Sequence, residues 1–188
     1  MNHNLDLLYP LSEFYLQMGL SLPLVYPINK EDVPEPYKRL LVHERDMTST
    51  LEAAFNQSIY LKVLQKSIAE NILIRQVLLI LDQDHSPVEF GVIKIYLDLF
   101  SYSAKQVILE GEQPLGAVLH KYQITYSSSP IAFFRVKPDQ LINQWFEGQV
   151  EGNDLYGRRN VLRNSQQEKI AEILEILPTI SKFLNQSI

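Results

Sequence analysis

The chain has 188 residues, 46% hydrophobic and 21% charged, the balance of a globular protein of about one domain. Seventeen Lys and Arg against 22 Asp and Glu give a formal net charge of −5, which excludes a whole-surface electrostatic grip on nucleic acid. The absence of cysteine removes disulfide frameworks, Cys-ligated zinc, iron–sulfur clusters and thiol catalysis together.

The N-terminus has no basic stretch and carries Asp6 and Glu13, unlike a secretory signal. Apolar runs such as Val77–Leu81 are too short to cross a bilayer. The expectation is a cytoplasmic protein without membrane insertion. A short amphipathic helix is expected near Leu11–Met18. The next stretch, SLPLVYPINKEDVPEP, has four prolines and no period, so residues 1–34 read as an irregular N-terminal arm. Pro36 suits a first helical turn, with Tyr37, Leu40 and Leu41 at helical spacing. Asp46 reads as an N-cap opening a helix whose stripe is Met47, Leu51, Ala54 and Phe55.

The period then changes. Ile59, Leu61 and Val63 alternate as in a strand. ILIRQVLLIL and PVEFGVIKIYL, rich in β-branched residues, flank DQDHSP and predict a hairpin with a several-residue loop. LDLFSYSAKQVILEGEQ predicts a helix, and Pro114 opens a short second one. IAFFRVK predicts a strand. YGRRNVLRNSQQEKIAEILEILP predicts a strand pair around NSQQE, although EKIAEILEIL alone also fits a helix. The pattern favours a single α+β domain with an antiparallel sheet, with its core over 35–178 and a C-terminal tail over 179–188.

Few residues carry chemistry. Arg75 sits among apolar neighbours in a strand; it is either an internal ion pair or an anion clamp in a dry pocket. Glu172 and Glu175, three apart, point to opposite faces if their segment is a strand and share a solvated face if it is a helix. Arg158 and Arg159, after Gly157, also alternate in a strand, so one of them can reach a pocket. The four histidines, His3, His43, His85 and His120, have no ligand spacing, and no metal is expected. Phosphate-cradling glycine loops and the GxSxG nucleophile turn are absent from the sequence.

Four segments taken together resemble the chorismate pyruvate-lyase family: LVHERDMTSTLE (41–52), ILIRQVLLILDQDHSPVEFG (72–91), EQPLGAVL (112–119), and YGRRNVLR leading into IAEILEILP (156–178). Each is short; their order and spacing carry the likeness. The resemblance implies an antiparallel sheet with helical flaps enclosing an internal ligand cavity. It implies an enzyme that converts chorismate to 4-hydroxybenzoate and pyruvate for a quinone head group, with no cofactor and with chorismate as its small-molecule partner. It also implies roles: Arg75 holds the ring carboxylate, Met47 and Leu115 close over the ring and offer backbone N–H groups, and Arg158 or Arg159 matches a GRR pair. AEIL at 171–174 matches the context of the family's carboxylate. That makes Glu172 the first candidate, with Glu175 the alternative if a one-residue gap moves toward Pro178.

The chain departs from better-known members in its longer N-terminal arm, in Val92 where some members have Arg, and in the NSQQEK turn. A second reading is a non-enzymatic module binding an aromatic or cyclic carboxylate on the same fold, as in ligand-sensing domains of some bacterial regulators. It needs Arg75 but no positioned carboxylate. A partner-docking protein, the third reading, predicts an exposed apolar patch and no enclosed pocket.

Overall fold

The computed structural model describes residues 5–146, 150 and 154–179. In chain order the elements are α1 (Leu11–Gln17), β1 (Val25–Ile28), α2 (Tyr37–Leu41), α3 (Met47–Phe55), β2 (Ile59–Ala69), β3 (Ile72–Leu81) and β4 (Pro87–Tyr96). They continue with α4 (Tyr102–Glu110), α5 (Leu115–Lys121), β5 (Tyr126–Val136), α6 (Gln140–Trp145), β6 (Leu155–Asn164) and β7 (Lys169–Leu177). All strands join one antiparallel sheet in the order β1-β5-β6-β7-β4-β3-β2. This is a single α+β domain. No helix among the described residues is long and apolar enough to cross a membrane.

Local chemistry sets the element ends. The Asp46 carboxylate accepts from the Ser49 N–H at 2.8 Å, satisfying one of the orphan donors of α3. Ser101 caps α4, which stops at Gly111 in the left-handed region. The segment 169–177, open to either reading by period, is a strand. The Asn164 side-chain oxygen accepts from the backbone N–H of Gln166 and Glu168 at 3.0 and 2.9 Å, and this polar turn folds β7 back on β6. Helices cover β7 on both faces, so both of its alternating sets are apolar.

One face of the sheet carries α1 and α6. There Leu11, Phe14 and Tyr15 pack with Leu78, Phe90, Phe134, Leu174 and Ile176, and with Ile142 and Trp145. The segment expected as an irregular arm is therefore part of the core. Its apolar side chains fill this face, and Val25–Ile28 pairs with β5 as an edge strand. The expected tail lies outside the described residues from position 180 on. The other face carries two separate clusters. One joins α2 and α3 through Leu41, Met47 and Leu51 to Leu79 and Leu81. The other joins α4 and α5 through Ile108, Leu115 and Val118 to Leu73, Ile93 and Leu162. Between them the sheet is left uncovered.

Candidate functional site

The gap between the two clusters is a cavity with an empty volume of about 650 Å³, the open solvent at its mouth included. Its floor is the sheet face made by alternate residues of β3, β4 and β7. These are Arg75, Val77 and Leu79, then Glu89, Gly91 and Ile93, then Ile173 and Glu175. Its roof is the start of α3, with Asp46 and Met47, and the start of α5, with Pro114 and Leu115. A second depression shares Asp46, Thr48, Pro114, Gly116 and Tyr126 with the cavity, so the two helix starts stand between them. Gly116 faces Asp46 across this junction; a Cβ there would lie 3.4 Å from the Asp46 Cβ, in van der Waals contact.

Arg75 is 2% exposed. Among the described residues its side chain donates one hydrogen bond, from Nη2 to the Gln113 carbonyl at 3.1 Å. Nε and Nη1 are buried without partners. Burial pushes its pKa down to about 10, so the guanidinium stays charged at neutral pH. Among the described residues Arg75 has no ion-pair partner, so the internal ion pair weighed for it is not seen there. A buried cation with idle N–H donors facing a cavity is an arrangement an anion completes.

At the other end of the floor stand two carboxyl groups. Glu175 pairs with Arg158, whose Nε donates to Glu175 Oε2. Arg158 is fully buried; its Nη1 also donates to the Leu41 and His43 carbonyls, both at 2.9 Å. It does not line the cavity. It fixes the Glu175 carboxylate and the loop leading into α3 at once. The nearby His43 ring is held below its ordinary pKa by burial and by the Arg158 charge. Gly157 permits this geometry, because a Cβ there would overlap the Glu175 carbonyl oxygen and the Phe134 ring.

The ranking of Glu172 first is corrected by the strand register. Glu172 alternates to the face bearing α1, where it accepts from Tyr96 Oη at 2.6 Å and from Lys169 Nζ at 3.2 Å. Arg159 lies on that same face, donating to the Asp6 carbonyl at 2.8 Å and 3.9 Å from Glu172. Burial pushes Glu172 up, but the Tyr96 and Lys169 hydrogen bonds and the charges of Lys169 and Arg159 outweigh it and hold the carboxyl below its usual range. Burial lowers the pKa of Arg159. Neither residue lines the cavity, and Arg159 ties the N-terminal segment to the sheet through Asp6 and Tyr9. The structure thus brings Arg75, Met47, Leu115 and Glu175 to one cavity, with Arg158 behind Glu175.

No known protein family and no curated protein matches the sequence. Solved structures do match. The effector domain of PhnF from Mycobacterium smegmatis has a TM-score of 0.55 at 12% identity, over 71% of this chain and 88% of that one. The fold is chorismate lyase-like. A second PhnF structure from that organism has a TM-score of 0.53 at 12% identity, over 90% of this chain and 93% of that one. A gene product of Staphylococcus aureus subsp. aureus N315 has a TM-score of 0.55 at 7% identity, over 74% and 92%.

Within this chorismate lyase-like fold, sequence reasoning missed Glu89. It is 4% exposed and lines the cavity, with its Oε2 unpartnered. The signal that singled out Arg75, a charged residue flanked by apolar ones in a strand, is present in PVEFG as well. Val92, the position where some members carry Arg, packs chiefly in the cluster on the α1 and α6 face. Among the described residues no group of His, Asp and Glu could hold a metal ion.

Proposed function

We propose that the protein is a lyase that converts chorismate to 4-hydroxybenzoate and pyruvate. The observation that carries this reading is Arg75: a buried guanidinium with two unpartnered nitrogens, on the floor of a cavity that also holds the Glu175 carboxylate. The substrate is a cyclohexadiene with a ring carboxylate and an enolpyruvyl ether. Its conversion is an elimination that makes the ring aromatic, with no net oxidation. The protein has to grip a carboxylate, exclude water and move protons near the ether and the adjacent C4–H. Arg75 grips the ring carboxylate. Met47 and Leu115 cover the ring, their helix starts presenting first-turn N–H groups. Glu175, oriented by Arg158, exchanges the proton.

Incubation of purified protein with chorismate tests the reading. The expected outcome is equal amounts of 4-hydroxybenzoate and pyruvate, followed by absorbance and mass. A second reading, a module that binds a ring carboxylate without converting it, draws on the likeness to the PhnF effector domain. It predicts saturable binding of 4-hydroxybenzoate and no product from chorismate.

A further inference from the structure

The cavity contains one carboxyl group more than a carboxylate grip and a single proton-exchanging residue call for. Glu89 and Glu175 lie on the same sheet face, diagonal across β4 and β7. Glu89 is two residues from Gly91, and Gly91 is directly opposite Glu175. Gly91 makes room for the Glu89 carboxyl, since a Cβ there would sit 3.1 Å from Glu89 Oε1 and 3.3 Å from the Val77 side chain. A register shift between Leu79 and Ile80 lies beside Glu89, and bulges of this kind re-aim neighbouring side chains. The two carboxyl groups are served unequally. Arg158 gives its Nε to Glu175, while Glu89 Oε2 is buried with no donor.

Resting on the lyase reading, we propose that Glu89 is the general acid of this cavity, giving its proton to the departing enolpyruvyl oxygen, while Glu175 takes the proton from ring C4. The step balances. The C4–H bond breaks toward Glu175, and its electron pair becomes the ring C3–C4 double bond. The C3–O bond breaks with its pair on the enolpyruvyl oxygen, which the Glu89 proton neutralises. The released enol tautomerises to pyruvate, and the proton now on Glu175 returns to Glu89 before the next turnover. Two carboxyl groups driven apart by their surroundings are a recurring solution to acid–base chemistry at one pH.

The electrostatics agree with this division. Burial, and then the Glu175 charge, push the Glu89 carboxyl well above its ordinary range, with Arg158 only partly opposing them. The other ionisable groups around the cavity are Arg75 on β3, Tyr126 on β5 and Asp46 before α3, with His43 beyond Arg158. None of these hydrogen-bonds to the idle Glu89 oxygen.

Two measurements on the full chain test the assignment. The infrared spectrum of ligand-free wild type minus Glu89→Gln near neutral pH should show a protonated carboxyl carbonyl band. With chorismate, Glu89→Gln should lower kcat by roughly 10²–10⁴-fold, the usual worth of a positioned acid, with KM within a few-fold and a native melting curve. The alkaline limb of the wild-type kcat profile, where the acid is lost, should vanish in the variant. An active wild type without the carboxyl band, or a variant that keeps both rate and alkaline limb, overturns the role of Glu89 and leaves the lyase reading standing. A wild type that makes no product overturns both.

Discussion

Replacing Arg75 by Met separates binding from stability in a way few site mutations do. In the ligand-free protein Arg75 gives one hydrogen bond, to Gln113, and keeps two nitrogens desolvated and idle. Losing that bond costs about 1 kcal/mol. Removing a buried, unpaired charge in favour of an apolar side chain of similar length returns as much or more. Ligand-free Arg75→Met should therefore melt at or above wild type, by up to about 5 °C for a chain of this size. Binding moves the other way. Truncating one partner of a buried charge pair costs about 2–5 kcal/mol, a loss of affinity of about 30-fold to several thousand-fold. Scanning calorimetry with 4-hydroxybenzoate reads both effects. At a hundredfold excess over Kd wild type gains about 2.7 kcal/mol, or about 5–10 °C, and the variant gains about 0.9 kcal/mol at most at the same concentration. Arg75→Lys recovers part of the shift, because a point charge does not replace the fork. A ligand-free Arg75→Met protein that melts far below wild type would refute the idle-donor argument. An unchanged ligand shift would remove Arg75 from the site.

The two β7 carboxylates give a paired test in one kinetic assay with chorismate. Glu175→Gln should lower kcat by roughly 10²–10⁴-fold, whereas Glu172→Gln should stay within a few-fold of wild type; the reverse ranking would mean the register is wrong. Glu172→Gln should instead lower the urea midpoint, since it loses hydrogen bonds made to a charged group, worth about 1.5–3 kcal/mol each. The Glu172 carboxyl is held below its ordinary range in the fold. Its contribution is therefore present above the unfolded pKa and lost as pH falls through the folded one, so the variant should show a flatter acid limb when midpoints are measured across pH. Gly157→Ala should destabilise by about 1–3 kcal/mol or more through overpacking and lower activity as well, because its Cβ would displace Glu175 or Phe134; a neutral melting curve would contradict the close approach.

Where local chemistry and period agree, the sequence discloses the element. Asp46 caps α3 as its side chain predicts, the β3–β4 hairpin follows its β-branched runs, and Pro114 immediately precedes α5. Arg75 was legible because a guanidinium among apolar strand residues has to have a reason. The choice between Glu172 and Glu175 was not legible. Ile170, Leu174 and Ile176 are as apolar as Ala171, Ile173 and Leu177, and partners outside the strand, Arg158 for one and Tyr96 for the other, tell the faces apart. β1 was hidden for a similar reason. VYPI contains a proline that a strand tolerates only at an edge, and its pairing with β5 has no local signature. α6 is too short, at six residues, for a helical period to show.

The single tryptophan stands on the far side of the sheet from the cavity. Trp145 stacks on Phe90 with ring centroids 3.6 Å apart and planes 5° from parallel. Phe90 lies in β4 between Glu89 and Gly91, both on the cavity floor. Any ligand that shifts this stretch of β4 also moves the ring against which the indole rests. Such a displacement would register in the emission of a chromophore on the opposite face from the cavity. A single tryptophan so placed would give a label-free optical signal for following ligand arrival and departure in stopped flow.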